Sequence, residues 1–149
     1  MRDSRIVILA MALCLVGAAK TPTPTPTPTP DPNKVAAQAA AEQWLKGVDA
    51  GQYGESWDAA SEAFKKALTQ KRWIYSLTQA RAPLGNLVSR KFRASQYFTD
   101  LPGAESGEYV VIEYDSQFAS GSPMTERITP KKDPDDVWRV SGYFLVPAK

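Results

Sequence analysis

The chain has 149 residues, with 18 Lys and Arg against 16 Asp and Glu, one cysteine and no histidine. Without histidine, serine–histidine and cysteine–histidine catalysis are excluded, and the usual neutral-pH base and commonest metal ligand are missing. A net charge of +2 leaves no electrostatic footprint for nucleic acid.

The first segment reads MRDSR followed by IVILAMALCLVGAA. A short basic start, an apolar run and closing small residues are the layout of a secretory signal peptide. The apolar run is shorter than the about 20 residues a spanning helix needs. Residues 1–19 are therefore expected to be a leader cut after Ala19, sending the chain to the periplasm or medium. Two rivals tether it to a membrane: a retained leader, or lipidation of Cys14. The second is opposed by bulky Leu13 and by the apolar run continuing to Ala19. Once cut, the chain has no thiol and hence no disulfide. With neither thiol nor imidazole, no metal or other cofactor is expected.

Residues 20–33 contain TPTPTPTPTP and are expected to be a linker. The prolines fall on every second position from Pro22 to Pro32, never three apart, so the P-x-x-P docking pattern is absent. What the run implies is a stiff spacer about 40 Å long in polyproline geometry. With the leader cut it is a free tail, or a substrate for glycosylation; with the leader held it is a stand-off.

From residue 34 to 149 the composition is that of one domain. A first helix is expected over 34–50, burying Ala37, Ala41, Trp44, Leu45 and Val48, with Gly51 as its stop. A second carries Tyr53, Trp57, Ala60, Phe64 and Ala67 on one stripe. A third is capped by Thr69, carries Trp73, Leu77 and Ala80, and ends before Pro83.

After Gly85 the period becomes two. Strands are expected over 86–97, 108–118, 124–131 and 136–146, joined by short turns and hence antiparallel. Val88, Phe92 and Ala94 should face the core on the first. On the fourth, Trp138, Val140, Gly142, Phe144 and Val146 should do so, with a bend or bulge near Gly142. The second strand is apolar on both sides through Tyr109, Val110, Val111 and Ile112. Either its outer face is covered by a second copy of the chain, giving a homodimer, or single exposed residues are tolerated. The layout is α+β, three N-terminal helices on a curved four-stranded antiparallel sheet.

Four blocks in order, WLKGVDAGQYGESWDAASEAFK, RAPLGNLVSRKF, LPGAESGEYVVIEYDSQF and TERITPKKDPDDVWRVSGYF, resemble a family of small exported bacterial proteins known as domain of unknown function 4019. The resemblance runs from about Ala40 to Leu145. The order of helices then sheet is also similar to the nuclear-transport-factor-2-like superfamily. That likeness implies a cone-shaped fold around a pocket, with dimers packing through the sheet. Enzymes of that superfamily, such as ketosteroid isomerase, use Asp and Tyr in a dry pocket, which needs no histidine.

Candidate groups for such chemistry are Asp58, Glu113, Asp115, Glu126, Tyr53, Tyr75, Tyr114 and Tyr143, none in a catalytic motif. Arg90 shares its parity with Val88 and Phe92, and so should point inward, where a long arginine needs a carboxylate. Glu126 has the parity to supply it, and Glu113 is the other candidate. Such a pair is either an internal brace or an arginine that holds an anion. Tyr53 and Tyr143 have polar tips suited to a pocket mouth, and Arg81 closes the third helix. The candidate ligand residues are thus Tyr53, Arg81, Arg90, Glu126 and Tyr143, with a small apolar or anionic ligand. The expected role is an exported, non-enzymatic binding or accessory protein of the bacterial envelope. The alternative is a small acid/base enzyme using Tyr and Asp or Glu.

Overall fold

The structure, a computed structural model, describes residues 30–148. The leader, Cys14 and the threonine–proline run up to residue 29 lie outside the described residues. Four helices precede four strands: α1 (Pro32–Asp49), α2 (Tyr53–Asp58), α3 (Glu62–Ala67), α4 (Gln70–Arg81), β1 (Leu87–Phe98), β2 (Tyr109–Phe118), β3 (Pro123–Lys132) and β4 (Trp138–Pro147). The sheet is antiparallel throughout, in the order β1-β2-β3-β4. No helix among the described residues is long and apolar enough to cross a membrane.

Helix α1 buries Ala37, Ala41, Trp44, Leu45 and Val48, the expected stripe. It starts earlier than residue 34. Asp31 is the N-cap, its side chain accepting from the Asn33 N–H at 2.9 Å, and Pro32 sits in the first turn. Proline is tolerated there because its missing donor would have had no partner. Pro32 and Asn33, expected in the 20–33 linker, thus belong to this helix.

The other end closes at Gly51, with φ of +77°. Gly51 N donates to Val48 O at 3.1 Å and Gln52 N to Gly47 O at 2.9 Å, the two bonds of a Schellman stop. Gly51→Ala meets no steric obstacle at the added Cβ, yet must adopt a left-handed backbone. It is expected to destabilise the domain by about 1 kcal/mol, read as a lower urea midpoint at unchanged slope.

The expected second helix is broken in two, so there are four helices and not three. Ser61 is the reason. Its hydroxyl accepts from Phe64 N at 3.2 Å to cap α3, and its own N–H donates to Val140 O on β4 at 2.9 Å. A buried donor satisfied by the sheet cannot also continue the helical ladder. The break leaves Ala60 and Phe64 in the core but turns Ala67 out to solvent.

Bulges correct the expected faces of two strands. Residues 110, 112, 114, 116 and 118 of β2 are all buried and define the helix-side face. On β1, Phe92 pairs with Tyr114 but Ala94 with Glu113, and the register also slips between Leu87 and Ser89. Each extra residue moves the following side chains to the opposite face. Arg90 and Phe92 therefore lie on the helix side as expected, whereas Ala94 does not, and Val88 is 68 % exposed. Phe92, near the free edge, stays half-exposed against the Tyr114 ring.

On β4 the slip between Val140 and Gly142 is the bulge expected near that glycine. It also exchanges the faces. Trp138 and Val140 are buried, but beyond the bulge Tyr143 and Leu145 face the helices and Phe144 and Val146 turn outward.

Tyr109 is buried from the outer side by the chain itself. Its hydroxyl donates to Glu105 O at 2.6 Å, and the Lys131 ammonium lies 5.6 Å from its ring. The apolar character of β2 on both faces is thus met in part by the 99–108 loop.

Candidate functional site

Of the candidate residues, Arg81, Arg90, Glu126 and Tyr143 converge on one internal cluster, joined by Asp49 and Ser116. Glu126 projects from β3 and is 0 % exposed. Arg90 Nε donates to its Oε2 at 2.5 Å and Nη2 to its Oε1 at 3.0 Å. Arg81 Nη1 reaches Oε1 at 3.3 Å, the Tyr143 hydroxyl donates to Oε1 at 2.6 Å, and Ser116 Oγ donates to Oε2. Asp49, in the last turn of α1, takes the other face of both guanidiniums. Its Oδ1 accepts from Arg81 Nη2 at 2.6 Å and Arg90 Nη2 at 3.0 Å, and its Oδ2 from Arg90 Nη1 at 2.7 Å. Arg81 also lies 4.9 Å over the Phe118 ring.

The electrostatics follow from that geometry. Burial alone would raise the Glu126 carboxyl, but the bonds from Arg90, Ser116 and Tyr143 outweigh it and hold it below the usual range. Burial likewise opposes ionisation of Asp49, and Arg90 and Arg81 overcome it. The Tyr143 phenol is pushed up by burial and by the Glu126 charge, which keeps it a donor. Two positive and two negative groups cancel inside the domain.

Tyr53 does not join this cluster. It is half-buried at the start of α2 and lines, with Asp49, Gly51, Thr78, Arg81 and Asn86, a polar recess of ≈ 370 Å³ outside the cluster. Glu113, the other partner considered for Arg90, lies on the outer face and accepts from Arg127 Nη2 at 2.7 Å. Asp115 is its outer-face neighbour and pairs with Arg93. Asp58 and Tyr75 are exposed. Tyr114 is buried, its hydroxyl without a hydrogen-bond partner among the described residues, and burial pushes its phenol up.

Asp49 was missed in the sequence, although a signal existed. A carboxylate in the last turn of a helix faces the negative end of the macrodipole, and so calls for a nearby cation. Ser116 carried another: a polar residue at a buried parity of β2 needs a partner.

A second recess is larger, at ≈ 500 Å³, and lies apart from the buried ion-pair cluster, although Lys46, Glu55 and Arg139 are among its lining residues. Trp44, Trp138, Val137 and Val140 give it apolar walls, while Gln43, Gln52 and Glu55 supply polar groups at α1 and α2. Trp44 is fixed there by its indole N–H, which donates to Ser56 O at 2.6 Å.

Fold and site together define a small α+β domain braced internally by an arginine–carboxylate cluster. The family model described as "Protein of unknown function (DUF4019)" matches residues 40–143, and the chain belongs to that family. No curated protein matches the chain. Among solved structures, the 1.8 Å structure of Aln2 from a Streptomyces species is similar in fold. Its TM-score is 0.50 and its identity 12%, over 79% of this chain and 93% of that one.

Proposed function

We propose that the protein is an exported, non-enzymatic binding or accessory module of the bacterial cell envelope, built on a cone-shaped, nuclear-transport-factor-2-like fold. Export rests on the leader-like start of the sequence. The fold reading rests on four helices laid on one face of an antiparallel meander whose strands are bent by bulges.

The observation that carries the non-enzymatic reading is the state of Glu126. A general base needs a lone pair facing its substrate, and this buried carboxylate already accepts from Arg81, Arg90, Ser116 and Tyr143. The arginines are equally occupied, which weighs against an anionic ligand. The outer recess beside them is lined by the C-terminal ends of α1 and α4, where the helix dipole disfavours anions.

An apolar ligand fits the two-tryptophan recess, whose volume is in the range of small-molecule sites. The test is native mass spectrometry of the protein purified from its own host. The wild type is expected to retain a bound apolar molecule that Val137→Arg, on an exposed wall residue, loses at least tenfold. The same adduct on both proteins would remove the recess from the reading. Self-association through the outer sheet face, where Phe144 and Val146 are exposed, is the second part of the proposal.

A further inference from the structure

The two edges of the sheet are guarded unequally. β1 carries two register slips, and Lys91 and Arg93 are exposed along it. Bulges and charges are the usual means of keeping an edge strand from pairing. Among the described residues, β4 has no strand partner but β3. Its outward side is met once by the chain itself, where the Val140 carbonyl accepts from Ser61 N at 2.9 Å. Beyond the bulge, no backbone bond to residues 142–146 is made on that side among the described residues. These residues read GYFLV, without a charge or a proline. Phe144 is 62 % and Val146 48 % exposed. Pro147 follows, and having no N–H it limits any pairing to those five positions.

An open row of N–H and C=O groups is complemented by another extended strand. We propose that this partner is the same edge of a second copy of the chain. The two β4 strands run antiparallel about a two-fold axis at Phe144, and the two sheets join into one of eight strands. The five free positions are centred on Phe144, so residue 142 of one copy meets 146 of the other. An uncharged segment meets itself without like-charge repulsion. The same axis brings Phe144 and Val146 of both copies into one apolar strip, removing from water the residues that the β4 bulge turned outward. This rests on the self-association proposed above and specifies its geometry as edge to edge.

The geometry makes the test direct. Opposed Cα atoms in an antiparallel pair lie about 4.5–5.5 Å apart, within the span of a disulfide. Sheets packed face to face lie about 10 Å apart, beyond it. The chain from Lys20 onward holds every described residue and has no cysteine, so cysteines can be placed singly. Under mild oxidation Phe144→Cys is expected to give a covalent dimer of twice the monomer mass. Gly142→Cys mixed with Val146→Cys should give a mixed disulfide dimer, and Ser89→Cys, on the guarded edge, should form no disulfide. Sedimentation of the unmodified chain should show a mass rising toward double with concentration. A dimer in sedimentation without either disulfide would overturn edge pairing and leave the face-packed reading standing. A single species of monomer mass at high concentration, with no cross-linking, would overturn both.

Discussion

Replacing Glu126 with alanine is expected to lower the unfolding free energy by about 3–5 kcal/mol, the cost of removing one partner from a buried ion pair. The carboxylate is fully buried and accepts from two guanidiniums and two hydroxyls. Without it, Arg81 and Arg90 share Asp49 alone, and the hydroxyls of Ser116 and Tyr143 lose an acceptor they cannot replace with water. A loss of that size is a large part of the about 5–15 kcal/mol that holds a typical domain. Urea unfolding monitored at the tryptophans reads it as a drop in midpoint at constant slope. Arg90→Ala should fall in the same direction, and the double variant should lose less than the two singles together, because both remove the same bonds. Equal midpoints for wild type and Glu126→Ala would mean that the cluster contributes nothing to stability.

Acid should undo the same cluster. Asp49 and Glu126 both titrate below their ordinary values in the folded chain. In the acid range the unfolded state therefore binds more protons, and stability rises with pH there. The contribution is complete above about pH 5 and is lost as pH falls through the folded-state values, below about pH 4. Urea midpoints between about pH 7 and pH 3 should fall steeply at the acid end for the wild type and less so for Glu126→Gln. High salt separates this from surface effects. Asp135 is lowered to about 2 by Arg139 on an exposed turn, where salt screens the pair. The buried pairs keep most of their share in salt. An acid limb unchanged by Glu126→Gln would detach the pH response from the cluster.

Much of this arrangement was legible in period and parity. The buried stripe of α1 follows from spacing alone, as does the convergence of Arg90 and Glu126 on the helix side of the sheet. Period counting fails wherever one residue is inserted or one donor is diverted. The slips after Leu87 and Phe92 and the extra residue Ser141 leave the composition of their strands unchanged but exchange the faces. The break at Ser61 is invisible because its stripe partners Ala60 and Phe64 remain apolar and buried. What decides it is a bond to Val140, almost eighty residues on, and no local pattern encodes that. Asp49 and Ser116 were legible only as anomalies, polar groups placed where a helix end or a core strand would not want them.

The cluster also bears on how the chain reaches its fold. Arg81 and Arg90 sit at the two ends of the α4–β1 connection, yet their carboxylates come from α1 and from β3, 32 to 45 positions away along the chain. An intermediate that docks α1 and α4 without β3 leaves two arginines sharing one carboxylate, and one that docks α1 on the sheet without α4 leaves two carboxylates sharing one arginine. Partial assemblies are therefore penalised where the finished domain is braced. Variants that cut the cluster, such as Glu126→Ala, are therefore expected to speed unfolding more than they slow folding, read from the two limbs of a urea chevron. Lifetime in the folded state, more than speed of folding, is the property expected to change when this cluster is cut.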